Sequence, residues 1–305
     1  MNWLAIYLRG VLMGAADIVP GVSGGTIAFI TGIYDRLLGA IRAFDLALVE
    51  LLLKGQIKAA WRHVDGGFVL ALVAGIATSI LSLARLIAWL LVTHPVPLWA
   101  FFFGLILASA LVLLRQVGVW NPARLACLLV GIAFALAVAL SPVLGLESAG
   151  LPAVFGAGFI AICAMILPGI SGSFILVLLG MYAVVLNALK AFDLLFIAVF
   201  GAGAACGLLC FSRLLHWLLS HRRPGTLALL TGFLFGSLAV VWPWKEALDW
   251  APGSHGELRP VQQVPVLPGR YLQLTGDDPQ LWLCLALALA GGLAVWLIDT
   301  RWNRA

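Results

Sequence analysis

The chain has 305 residues, of which 63% are hydrophobic and only 10% charged, with a mean hydropathy of +1.09. A soluble domain carries about 25% charged residues, so a soluble enzyme or soluble binding module is excluded. Several apolar runs reach the roughly 20 residues that cross a bilayer. The net charge of +5 then reads as Lys and Arg held in cytoplasmic loops, not as a nucleic-acid surface. The composition specifies one polytopic membrane domain, all-α.

The chain opens on an apolar run over 3–18, interrupted early by Arg9. The run leads straight into a Pro-Gly segment, so it reads as structure and not as a cleaved signal peptide. With a second arm over 23–42 it makes a broken helical hairpin. An amphipathic stretch over 45–62 follows, holding Lys54, Lys58 and Arg62. Three spans are expected at 67–92, 97–114 and 124–146. A second broken hairpin covers 151–166 and 171–190. Three more spans are expected at 193–219, 225–243 and 280–299, with a polar loop over 244–279 between the last two. Cys127, Cys163, Cys206, Cys210 and Cys284 all lie in apolar segments without metal-ligand spacing. They read as small packing residues, and no cofactor or metal is expected.

The two hairpins are copies of one another. Aligned from Ala16 and Ala164 to Asp45 and Asp193, 14 of 30 positions are identical, including Pro20/Pro168, Gly21/Gly169, Ser23/Ser171, Gly24/Gly172, Gly32/Gly180 and Tyr34/Tyr182. Beyond the hairpins the repeat continues at an offset of 128. Gly75, Arg85 and Trp89 match Gly203, Arg213 and Trp217, and Gly104 matches Gly232. The order is therefore hairpin plus three spans, twice: residues 1–146, with a tip at 17–26, and residues 150–305, with a tip at 165–174. Three crossings per unit invert the second unit. On that reading the first tip enters from the cytoplasm and the second from outside. Placing 36–66, 115–124, 220–224 and 300–305 in the cytoplasm puts 11 Lys/Arg there against four in the opposite loops. That bias sets both termini inside. Pro and Gly at the tips release backbone groups that hydrocarbon cannot satisfy, so each tip should turn back within protein or line a watery cavity.

Two groups of residues could carry chemistry. Arg85 and Arg213 each lie about 10 Å inside the C-terminal boundary of their span, one toward each leaflet, at 1.5 Å per residue. An arginine at that depth usually faces a partner or a cavity. Each tip also opens a short helix whose exposed N–H groups favour an anion, with Ser23, Gly24, Gly25 and Thr26 in one copy and Ser171, Gly172 and Ser173 in the other. Duplicated glycine-broken segments of this kind point to a transporter's substrate site. Asp17, whose counterpart is Met165, is expected to pair or to take a proton. Asp35 and Arg36 are expected as a solvated ion pair at the cytoplasmic mouth. With Tyr34 and Tyr182 these residues are candidates for coupling or gating. No nucleophile elbow, phosphate loop or acid/base set is present, so the sequence points to no enzyme.

The two Pro-Gly-x-Ser-Gly motifs, each ending in Gly-x-Tyr, with the segments at 82–86, 101–109 and 211–215, resemble the PopT-type undecaprenyl-phosphate translocases. The resemblance covers nearly the whole chain, except the 244–279 loop. It implies a multi-pass protein of the bacterial cytoplasmic membrane whose partner is polyprenyl phosphate, returned from the outer to the inner leaflet for envelope synthesis. A carrier of small soluble anions could use the same tips, and would need a closed pocket without a lateral opening.

Overall fold

A computed structural model describes residues 2–19, 22–141, 150–252 and 258–302. Pro20 and Gly21 of the first tip, residues 142–146 of the third expected span and residues 253–257 of the polar loop lie outside the described residues. The first half contains α1 (Trp3–Asp17), α2 (Gly24–Ile30), α3 (Tyr34–Arg42), α4 (Leu46–Leu53), α5 (Ile57–His63), α6 (Gly66–Thr93), α7 (Pro95–Gln116) and α8 (Pro122–Ala139). The second contains α9 (Leu151–Ile166), α10 (Gly172–Leu178), α11 (Tyr182–Lys190), α12 (Leu194–His221), α13 (Arg223–Ser237), β1 (Lys245–Pro252), β2 (Leu258–Pro265), α14 (Pro268–Thr275) and α15 (Leu281–Trp302).

Among the described residues five helices are long and apolar enough to cross a membrane: α6, α7, α8, α12 and α15. The span expected at 225–243 appears as the 15-residue α13, prolonged by turns to Val241, and most of its length is buried. The expected second arms of the hairpins, 23–42 and 171–190, are each broken in two. Gly32 and Gly180 adopt φ of 71° and 72°, a left-handed conformation that costs glycine little. Each closes a Schellman stop: Ile33 N–H donates to Ala28 O and Met181 N–H to Leu176 O, at 3.0 and 2.9 Å. The chain then bends by 105° between α10 and α11. The seven-residue α2 and α10 are each about 10 Å long, a third of the roughly 30 Å hydrocarbon core.

The expected amphipathic stretch at 45–62 is two helices, α4 and α5, parted at Gly55 with φ 67°. Asp45 caps α4, accepting from Leu48 N–H at 3.0 Å, and its repeat partner Asp193 caps α12, accepting from Phe196 N–H at 3.1 Å. The inserted pair thus begins at the cap that opens the long helix in the second half. This accounts for the change of repeat offset.

Helix pairing follows the repeat. Within the halves, α1 packs on α6 and α9 on α12. Between the halves, α7 packs on α15 and α8 on α13, so each half lends its last long helix to the other. Repeated glycines make these crossings. A methyl at Gly75 would strike the Tyr7 carbonyl of α1, and one at Gly203 the Phe155 carbonyl of α9. A methyl at Gly104 would strike Ala288 of α15, and one at Gly232 would strike Leu128 of α8. Close backbone approach at small residues drives helix association where hydrophobicity cannot.

The 244–279 loop is not helical throughout: β1 and β2 form an antiparallel hairpin. It is pinned to the ends of the spans by Trp242 Nε1, which donates to Val266 O at 2.8 Å, and by Trp244 Nε1, which donates to Pro279 O at 2.9 Å. The Lys245 ammonium sits 3.7 Å from the centroid of the Trp99 ring on α7. Desolvation lowers its pKa to about 7.

Gly232→Ala should cost about 1–3 kcal/mol, because the partner backbone must move apart. Gly201→Ala, in a helix with open space beside it, should be neutral or stabilising. Heating the detergent-solubilised variants and scoring loss of the monodisperse chromatographic peak separates the two. Lys245 sheds its proton more readily in the folded state than in the unfolded chain. Stability from this group is therefore absent below about pH 7 and grows towards the unfolded pKa near 10.5. The melting temperature should rise from pH 7 to 9, and Lys245→Met should flatten that rise.

Candidate functional site

The two tips cross. Residues at the end of α9 leave carbonyls without intrahelical partners, and hydroxyl groups of the first half reach them. Ser23 Oγ lies 3.2 Å from both Met165 O and Leu167 O, where it donates. Tyr34 Oη donates to Ile166 O at 2.9 Å. In the other direction, Gly169 N–H donates to Thr26 Oγ1 at 3.1 Å. Gly169 has φ 87°, and a methyl there would meet the backbone of Leu234 on α13. Three consecutive carbonyls of one half are thus served by two side chains of the other.

The first tip also satisfies itself. The Asp17 carboxylate accepts from Gly24 N–H at 2.7 Å, and Ser23 Oγ accepts from Gly25 N–H at 3.1 Å. The start of α2 already holds an anion supplied by its own chain. Every residue of α2 is buried.

The second tip is built from similar residues to a different end. In place of Asp17 stands Met165, 42% exposed, and in place of Tyr34 stands Tyr182, 40% exposed. Ser171 is buried, its hydroxyl 2.9 Å from that of Ser173. Of α10 only Gly172 and Leu178 are buried. A small cleft beside this tip is lined by Ser171, Phe174, Ala135, Val138 and Ser237. The tips expected as equivalent anion sites are therefore one joint with unequal halves.

Arg85 and Arg213 are not part of that joint. Both are exposed, on the outward faces of α6 and α12. Arg213 donates to Leu209 O at 3.0 Å on its own helix and to Phe44 O at 3.2 Å. Arg85 has no hydrogen bond or ion pair among the described residues. The expected interior cavity around them is replaced by a lateral surface.

Asp35 and Arg36 do not pair with each other, as expected of them, but with distant helices. Arg36 grips Asp65 at the start of α6 with two nitrogens, at 2.6 and 3.0 Å, and lies 4.4 Å from the centroid of the Phe68 ring. Asp35 accepts from Arg223 Nη1 at 3.0 Å. The reason is geometric: neighbours on a helix point about 100° apart, and α3 lies between α6 and the start of α13. Such half-exposed pairs contribute about 1 kcal/mol or less each, so they orient α3 more than they hold the fold.

The model of the undecaprenyl phosphate translocase-like family matches residues 13–259. The chain belongs to this family. A protein of Vibrio cholerae serotype O1 named polyprenyl-phosphate transporter is 50% identical over 290 residues, 95% of this chain and 94% of that protein. One of Staphylococcus aureus with the same name is 31% identical over 259 residues, 79% of this chain and 87% of that protein. No solved structure matches. The family match includes both tips, α6 and α12, and ends inside β2.

Sequence reasoning passed over Arg9. It is buried in α1, 6% exposed, within Coulombic reach of Arg36. The signal was available as a lone arginine in an apolar run, but it had no repeat partner to draw attention to it, since the matching position is Ala157.

The unequal joint gives unequal mutants. Ser23→Ala leaves the part-buried carbonyls of Met165 and Leu167 without their hydroxyl donor and should destabilise by about 1–3 kcal/mol. Ser171→Ala removes a hydroxyl that meets only Ser173 and should cost well under half as much. Thermal unfolding of the two variants in one detergent tests the asymmetry.

Proposed function

We propose that this protein moves undecaprenyl phosphate from the outer to the inner leaflet of the bacterial cytoplasmic membrane, recycling the lipid carrier used in envelope synthesis. The observation that carries the reading is the joint of two opposed broken hairpins in a member of the undecaprenyl phosphate translocase-like family. The names of the Vibrio and Staphylococcus relatives support the same substrate class. Both termini are cytoplasmic, and the halves are inverted repeats whose tips re-enter the membrane from opposite sides. The matched helix order and the exchanged long helices support this arrangement.

The headgroup alone needs a polar route, because a long polyprenyl tail stays in lipid. Arg85 and Arg213, outward-facing on α6 and α12, meet the phosphate from opposite leaflets. Between them lie the tips, Ser23 to Thr26 and Ser171 to Ser173. Asp17 holds the start of α2 until the phosphate replaces it there, which makes it the residue for coupling. Tyr34 and Tyr182 govern whether the joint opens. Asp35 and Arg36 tether α3 while it does.

Vesicles containing only this protein and a labelled polyprenyl phosphate test the reading directly. Leaflet-resolved flipping is expected with the native chain, and Arg85→Ala or Arg213→Ala should slow it at least tenfold, the value of one charge-assisted hydrogen bond of about 1.5–3 kcal/mol. Arg→Lys should retain partial activity, keeping charge but losing the two-pronged donor. Native flipping by the double alanine variant would overturn the role of the arginines. A native chain that does not flip the lipid would overturn the function.

A further inference from the structure

Each 28-residue helix ends in an exposed ladder of the same chemistry. On α6, the Trp89 and His94 rings lie 5.6 Å apart. Thr93 Oγ1 donates to Trp89 O at 2.8 Å, and His94 Nδ1 is 2.9 Å from Thr93 Oγ1. On α12, the Trp217 and His221 rings lie 5.2 Å apart. Ser220 Oγ donates to Trp217 O at 2.9 Å, and His221 Nδ1 is 2.9 Å from Ser220 Oγ and 3.0 Å from Trp217 O, a second acceptor that the α6 ladder lacks among the described residues. Arg85 and Arg213 each stand four residues before the tryptophan, and all eight of these side chains are exposed.

The histidines do not align in the repeat: an offset of 128 sets Thr93 on His221 and His94 on Arg222. The chemistry recurs where the register has slipped by one. In each ladder the hydroxyl proton is committed to the tryptophan carbonyl, so the hydroxyl accepts from Nδ1–H. That fixes the imidazole and leaves Nε2, the accepting nitrogen, without a partner among the described residues, turned to the surroundings, where the P–OH of a phosphate monoester can donate to it. An interfacial tryptophan belt accounts for Trp89 and Trp217, but it needs neither a hydroxyl-locked imidazole at the rim nor an arginine beneath.

Arginine and histidine are nine residues apart on α6 and eight on α12, about 12–13 Å along the helix. Side chains on a helix lean towards its N-terminus, and Arg213 does so in donating to Leu209 O. The guanidinium and the imidazole of a ladder therefore cannot share one phosphate. They are successive stations.

Resting on the transport reading above, we propose that His94 and His221 are rim stations at which the phosphate headgroup of a polyprenyl lipid first docks, one per leaflet. From there it passes along the tryptophan face to the deeper Arg85 or Arg213. The occupant is a membrane-borne anion because the ladder is a lateral, lipid-facing surface whose charge is complementary to a phosphate. In the inverted arrangement the ends of α6 and α12 lie at opposite faces, so each ladder serves its own leaflet.

The test is flipping in oriented vesicles as a function of polyprenyl phosphate density, loaded from one leaflet at a time. His94→Asn should raise the half-saturating lipid density about tenfold, one hydrogen bond to a charged group, from its own leaflet only, with the maximal rate unchanged. His221→Asn should do the same from the other leaflet. Arg85→Ala should instead lower the maximal rate. Trp282→Leu, an exposed tryptophan on α15 outside both ladders, should change neither. Unaltered half-saturation in both histidine variants overturns the rim stations while leaving transport standing. So does an equal effect from both leaflets, or one matched by Trp282→Leu. Absence of flipping by the native chain overturns the transport reading and the stations with it.

Discussion

The structure depends on the need to satisfy the backbone where a helix stops inside the protein. A buried carbonyl without a partner costs about 1–3 kcal/mol, and the end of α9 presents those of Met165 and Ile166, with that of Leu167 just beyond held by a long bond from Ile170 N–H at 3.4 Å. The chain meets that need with Ser23 and Tyr34, which lie well over 100 residues earlier. Once these bonds form, the first tip must lie under the second. α2 is then buried along its whole length, and Gly169 must turn with positive φ against α13. The rest of the interior is arranged around that joint.

The same requirement explains why the halves are alike in outline and unlike in detail. A joint between two tips has one contact, not two, so only one tip can supply hydroxyls to the other. The first half took that role with Ser23, Thr26 and Tyr34. The second keeps Ser171 and Tyr182 at the matching positions but is released from the duty, and Tyr182 faces outward. The half-buried carboxylate of Asp17 goes with the supplying tip. Asymmetry at the centre is therefore what a symmetric pair must reach when it shares one set of hydrogen bonds.

Much of the architecture was legible in the sequence because it rests on local signals. Hydrophobic run lengths located the spans, repeated glycines marked the crossings, and the Gly-x-Tyr ends marked the stops of α2 and α10. What was not legible depends on partners far away along the chain. Nothing near Ser23 announces the carbonyls of Met165 and Leu167. The pairing of Asp35 with Arg223 and of Arg36 with Asp65 requires knowing that α3 lies between α6 and α13. Position along a helix carries no information about facing, and Arg85 and Arg213 both turned outward. The β-hairpin was missed because a polar loop with prolines carries little periodicity.

The exchange of last helices between halves bears on how the protein is made. Helix α8 leaves the ribosome well before α13, and α7 long before α15, so both first-half helices enter the membrane with glycine-lined faces uncovered. The carbonyl acceptors for Ser23 arrive later still than the hydroxyl itself. Assembly is thus dominated by contacts distant in sequence, which form slowly and leave an incomplete chain exposed to wrong partners. A polypeptide stalled before α13 would present a complete set of inserted helices with no settled interior, and is a natural substrate for membrane proteases. For this fold, synthesis to the last helix is itself the checkpoint.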